Sequence, residues 1–172
     1  MNIIKLLTLA DFFTIANLCS GVLAIFLATE MHFGLSATLI AMAVVFDTLD
    51  GKIAGWLHQK HEFGKQLDSL ADLVSFGIAP AYLYFTLSLQ NGWDILSLLF
   101  FAICGMLRLA RYNISQNTGF EGIPITVNGI VFPLLYLFSS SYEASLTYWP
   151  VVFVLMGLLM VSSIKTKRLF EG

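Results

Sequence analysis

Apolar runs long enough to cross a bilayer alternate with short polar breaks along most of the chain. With about 20 residues needed to cross the hydrocarbon core, six spans are predicted, at 13–30, 35–57, 65–89, 94–113, 125–141 and 148–164. The breaks EMHFG, HQKHE, QNGWD, SQNTGFEG and SSYEAS are short, which favours antiparallel neighbours. The stretch NIIKLLTLADFF before the first span reads as a short amphipathic helix lying in the interface, within residues 1–12. No repeat or low-complexity segment is visible. The expectation is an all-α integral membrane protein, one domain over residues 1–172, whose activity is built from the helices themselves.

Composition agrees with the pattern. The chain is 58% hydrophobic and only 12% charged, with a mean hydropathy of +0.81, far from an ordinary soluble domain. The position of charge says more than its net value of −2. Lys5, Lys60, Lys65, Arg108, Arg111, Lys165, Lys167 and Arg168 all fall at alternate span ends that share one side. The positive-inside rule then makes both termini cytoplasmic. No basic tract suggests nucleic acid as a partner. Lys165, Lys167 and Arg168 read as an anchor to anionic headgroups of membrane lipids, and Trp93 and Trp149 fall where aromatic belts form. Asp11 and Asn17 interrupt the one stretch that resembles a signal peptide, so it is expected to be retained. Small size and the lack of a targeting segment point to a prokaryotic cell membrane. Cys19 and Cys104 sit alone in apolar runs and read as packing residues.

Against this apolar background, Asp47, Asp50, Asp68 and Asp72 stand out. In FDTLDGKIAG the first two are three apart and in LDSLADLVSFG the second two are four apart, so each pair projects from one helix face. Ionised side chains in hydrocarbon cost several kcal/mol each. Four together require neutralising cations or a water-filled cavity. Four negative charges balance two divalent ions, and all-oxygen ligation selects Mg²⁺, Mn²⁺ or Ca²⁺; such a two-metal carboxylate site suits displacement at phosphorus. By the predicted topology the cavity opens to the cytoplasm. Small residues border it, Gly51, Ala54 and Gly55 near the first pair and Gly64, Ser69 and Ala71 near the second, clearing space for a ligand or for close helix packing.

The run D47-x2-D50-G51-x2-A54-x9-G64-x3-D68-x3-D72 resembles the signature of the CDP-alcohol phosphatidyltransferases, six-helix membrane enzymes. FGKQLDSLADLVSFGIAPA, LRLARYN, FEGIPIT and IANLCSG are similar to the phosphatidylserine synthase branch. The chain departs from the family at Gly55, where most members carry an arginine. The resemblance implies transfer of a phosphatidyl group from CDP-diacylglycerol, or a CDP-linked ether lipid, to the hydroxyl of L-serine, with release of CMP. It implies two divalent cations on Asp47, Asp50, Asp68 and Asp72, with Asp72 also the general base, and a homodimer. Gly51, Ala54 and Gly64 would line the CDP pocket, with Asn17 a weaker candidate for a phosphate or ribose contact that reads equally as an interhelical hydrogen bond. Arg108 and Arg111, three residues apart, would give at least one partner for the serine carboxylate or the transferred phosphate; Ser75 could touch either substrate or bond to the preceding helical turn.

Two other readings compete. The same chemistry would serve another alcohol acceptor, such as glycerol-3-phosphate or inositol phosphate. A carboxylate-lined membrane cavity also suits a divalent-cation transporter, although the acidic residues all lie toward one side. His32, His58 and His61 are expected to be solvated loop histidines away from the aspartates.

Overall fold

The computed structural model describes residues 7–58, 61–88, 91–114, 120–141, 143–163 and 165–166. It is almost wholly helical. Four helices are long and apolar enough to cross a membrane: α1 (Leu9–Thr29), α2 (Phe33–Trp56), the helix running Glu62–Leu87, and α5 (Gly92–Ile114). Shorter apolar helices follow, α6 (Asn128–Ser141) and α7 (Trp149–Val161), each led by a 3₁₀ turn, Ile125–Val127 and Glu143–Tyr148. The four long helices lie within a few residues of the first four expected spans. Of the segment expected as an interfacial helix, residues 1–6 lie outside the described residues, and Leu9–Phe12 form the first turn of α1. The reason is local. Thr8 and Asp11 form a capping box, with the Thr8 amide and hydroxyl both donating to Asp11 Oδ2 at 2.6 and 2.9 Å, so the helix starts there.

In α1 the large apolar side chains face outward and small or polar ones face inward. The buried positions include Ala10, Thr14, Asn17, Gly21, Ala24 and Ala28, a three-and-four spacing on one face, with Asp11 and Ser20 beside them, while Phe26 is 60% exposed. In lipid this arrangement is favourable. Helix association there comes from close backbone approach and interhelical hydrogen bonds rather than from burying apolar area. Ser36 of α2 accordingly donates to the Ala24 carbonyl of α1 at 2.8 Å. At Gly21 a Cβ would lie 2.7 Å from Ser75 Cα, closer than any side chain tolerates.

The helix Glu62–Leu87 comprises α3 (Glu62–Asp72), a π segment (Leu73–Ile78) and α4 (Ala79–Leu87). In the π segment the Ala79 amide reaches back five residues to the Val74 carbonyl. Pro80 explains the wider turn. It has no N–H for the Phe76 carbonyl, and its ring would crowd that carbonyl in a regular α-helix.

Away from the aspartates the interior is aromatic. Phe132 stacks on Phe153 with centroids 4.2 Å apart, Phe101 meets Phe153 edge-on at 5.0 Å, and Trp149 stacks on Tyr84 at 5.3 Å. The far end of α5 starts with Asn91, whose side chain accepts from the Trp93 and Asp94 amides while Asp94 accepts from the Asn91 amide. Near the end of α7 a short antiparallel pair joins β1 (Phe120–Glu121) to β2 (Lys165–Thr166). Gly122 beside it has φ +77, and a Cβ there would overlap the Met160 carbonyl.

Candidate active site

The aspartate pairs meet as their spacing requires. Carboxylate oxygens of Asp47, Asp50 and Asp68 lie within 4.8 Å of one another. Asp50 accepts from Thr14 Oγ1 of α1 at 2.7 Å. Asp47 has Asp72, Thr126 and Arg108 as polar neighbours. Asp72, the last residue of α3, stands beside this trio rather than within it. It is buried, accepts from Asn17 Nδ2 at 3.1 Å, and has Asp47 and Asp68 close by. Asn17 thus makes the interhelical hydrogen bond that was one of its two expected roles, and its Oδ1 is buried with no partner among the described residues.

This donor set fits hard divalent cations. Arg108 supplies positive charge to Asp72 and Asp47, but one guanidinium does not balance four carboxylates in a site this shielded from water. Asp68 Oδ1 is buried with no hydrogen-bond partner among the described residues. An acceptor-only oxygen left so, among other carboxylates, is costly unless a cation binds it.

A cavity of about 370 Å³ opens beside the cluster, within the range for small-ligand sites. Its walls include Asp11 and Thr14 of α1, Asp50, Gly51 and Ala54 of α2, His61, Gly64, Lys65 and Asp68 at the start of α3, and Tyr112 of α5. All three small residues expected to line the CDP pocket, Gly51, Ala54 and Gly64, are on this wall. A Cβ at Gly51 or Gly55 would meet nothing within 4 Å, so the glycines there border open space rather than a packed helix contact.

The other candidates separate. Arg108 is buried, points toward the aspartates, and has an unpartnered Nε. Arg111 turns the other way, and its guanidinium donates to the Met160, Val161 and Ser162 carbonyls at 3.3, 3.2 and 3.1 Å. Those are the free acceptors at the end of α7, which Arg111 caps. Ser75 is fully buried and donates to the Asn17 carbonyl at 3.0 Å, so its hydroxyl joins the π segment to α1 away from the cavity wall.

The expectation that His61 is a solvated loop residue is overturned. Its Nδ1 accepts from the Gly64 amide at 3.0 Å, capping α3, and its Nε2 lies 3.3 Å from Asp11 Oδ2 on the cavity wall. Histidine is an uncommon cap, and its partner Asp11 is 50 positions away in sequence, so sequence reading had only the spacing His61-x2-Gly64 to go on. His32 and His58 are exposed, as expected.

Apolar helices long enough to cross a membrane converge on a cluster of aspartates carrying the D-x2-D-G-x2-A run, and the chain belongs to the CDP-alcohol phosphatidyltransferase family, whose model matches residues 7–163. Within that family it is 37% identical, over 95% of its own length and 76% of the relative's, to a CDP-diacylglycerol–serine O-phosphatidyltransferase of Methanocaldococcus jannaschii. It is 34% identical to an archaetidylserine synthase of Methanothermobacter thermautotrophicus, over 97% of this chain and 72% of that protein. A CDP-diacylglycerol–serine O-phosphatidyltransferase of Helicobacter pylori is 35% identical over 96% of this chain and 74% of its own.

Proposed function

We propose that this chain transfers a phosphatidyl group from a CDP-linked lipid to the hydroxyl of L-serine, releasing CMP and a phosphatidylserine-type lipid. The observation that carries the reading is the convergence of Asp47, Asp50 and Asp68 within 4.8 Å beside a cavity walled by Gly51, Ala54 and Gly64, in a member of this family whose relatives bear serine transferase names.

Asp47, Asp50, Asp68 and Asp72 would hold two divalent cations, Mg²⁺, Mn²⁺ or Ca²⁺. When bound, these neutralise phosphate charge in the donor and in departing CMP. The protein's own groups do the rest. Gly51 and Ala54 leave room for the nucleotide against the backbone of α2, while Gly64 lets Asp11 and His61 close in against the start of α3. The serine oxygen bonds to the lipid-side phosphorus as the bond from that phosphorus to the CMP oxygen breaks. Its hydroxyl proton passes to the Asp72 carboxylate, which Asn17 Nδ2 holds in orientation. Arg108, a planar donor with a free Nε beside the aspartates, binds the acceptor's carboxylate or the transferred phosphate. The capping role of Arg111 and the buried bond of Ser75 leave neither needed for substrate.

The donor's tails lie along the exposed apolar faces, such as Leu96, Leu99 and Ile103 of α5, surfaces equally suited to ester-linked or ether-linked chains. α6 and α7 complete six spans, with both termini and the cavity mouth on the cytoplasmic side of a prokaryotic cell membrane, and the protein works as a homodimer. Cation transport is the weaker reading, because a path onward from the aspartates meets the Phe101, Phe132, Phe153 and Trp149 cluster, fully buried and apolar. Conduction needs polar groups through the whole depth.

The test is detergent-solubilised protein with CDP-diacylglycerol and labelled L-serine, Mn²⁺ against EDTA, and Asp72→Asn alongside. Metal-dependent CMP release with label entering lipid, lost in Asp72→Asn, is the expected result. CMP release only with glycerol-3-phosphate or inositol phosphate would change the acceptor, and absence of turnover with any alcohol would overturn the enzyme reading.

A further inference from the structure

Among the described residues that wall the cavity, carboxylates dominate: Asp11, Asp50, Glu62 and Asp68. Such a wall repels a nucleoside diphosphate unless positive charge is placed on it. Lys65 is the one lysine or arginine among the described residues of that wall. Glu62 and Asp68 lie three residues to either side on the same helix, close enough for ordinary surface pairing. The ammonium ignores both, with no carboxylate of the described residues within 4 Å. Instead it crosses to α5, donating to the Asn113 carbonyl at 3.0 Å and lying 5.2 Å from the centre of the Tyr112 ring.

Both contacts hold the charge in place without cancelling it. A carbonyl takes one of three ammonium protons, and an aromatic face attracts a cation without neutralising it. The long side chain is thereby fixed before any ligand arrives, which lowers the ordering cost of binding. Lys65 also falls in the first turn of α3, where the helix dipole adds positive potential. We propose that Lys65 binds the diphosphate of the CDP-linked donor, its ammonium pre-set on the cavity wall by the Asn113 carbonyl and the Tyr112 ring. This rests on the donor reading given above and adds to it a residue that the aspartate signature does not contain.

The experiment is calorimetric titration of CDP and of CMP into the detergent-solubilised full chain with Mn²⁺, together with serine kinetics, for wild type, Lys65→Gln, Lys65→Arg and Gln66→Ala. Gln66 Oε1 accepts from Asn113 Nδ2 at 3.3 Å, so Gln66→Ala loosens the same helix contact and leaves the charge alone. Lys65→Gln should weaken CDP binding by about 10- to 100-fold, the scale of a charge-assisted hydrogen bond. CMP, with one phosphate fewer, should lose less, the KM for serine should hold, and Lys65→Arg should restore most of the affinity. Unchanged CDP affinity in Lys65→Gln overturns the proposal, as does an equal loss in Gln66→Ala or a rise confined to the KM for serine. Wild-type protein that binds no CDP at all would instead defeat the donor reading itself.

Discussion

Asp47, Asp50 and Asp68 repel one another until cations arrive, and this gives a test that separates their role in metal binding from one in folding. With EDTA present, Asp47→Asn should melt higher than wild type, since removing one of several close carboxylates relieves about 1–3 kcal/mol of repulsion. Mn²⁺ should raise the melting temperature of wild type and much less that of Asp47→Asn, and turnover should vanish in the variant. A lower melting temperature in EDTA would mean that the carboxylate stabilises the fold rather than strains it. The two arginines divide in the same way. Arg108→Lys should raise the KM for serine about tenfold or more with little change in melting, from loss of a two-pronged contact. Arg111→Met should lower the melting temperature and leave substrate affinity unchanged, because it strips the cap from α7. The aspartates were legible in the sequence because their spacing alone puts them on one helix face. The arginines were not separable that way. Three residues turn the helix by about 60° short of a full circle, and which partner each meets depends on α7, far along the chain.

The long helices were legible from apolar length, and their ends came within a few residues of the expected ones. Two features of the same elements were not. The start of α1 depends on the Thr8 and Asp11 capping box, and Asp11 had looked like an interruption of an apolar stretch. The π segment follows from Pro80, but a proline in a membrane helix is accommodated by a kink, a water or a wider turn, and sequence does not choose among them. This segment matters to the site. Ser75 within it bonds the Asn17 carbonyl, and Asn17 in turn holds Asp72. Gly21→Ala should therefore do more than destabilise by about 1–3 kcal/mol, the usual cost of overpacking. Driving α1 away from Ser75 moves the support of Asp72, so kcat should fall even at temperatures where the variant remains folded. A destabilised Gly21→Ala with full kcat would show that the α1 contact serves packing alone.

At the scale of the molecule, small and polar residues meet where α1 packs on its neighbours, aromatic rings fill the interior away from the aspartates, and Phe26, Leu99 and Ile103 face out, a pattern that apolar length alone does not show but that a lipid surround explains. Orientation is the part still carried by charge bias. Lys5, Lys60, Lys167 and Arg168 lie outside the described residues, so accessibility rather than charge has to decide it. α5 supplies a ruler. Tyr112 near its end is on the cavity wall, and Gly92 at its start is about 30 Å away by helical rise, close to a bilayer core's thickness. In a background with Cys19 and Cys104 replaced by Ala, Glu62→Cys at the cavity and Gly92→Cys at the far end report on opposite faces. A membrane-impermeant maleimide should label Glu62→Cys in inverted vesicles and not in intact cells, with the reverse for Gly92→Cys. CDP with Mn²⁺ should slow labelling at Glu62→Cys alone, because Glu62 borders the cavity and Gly92 does not. Labelling of Glu62→Cys from outside intact cells would place the aspartates on the wrong side for cytosolic serine, and the proposed topology would have to be inverted.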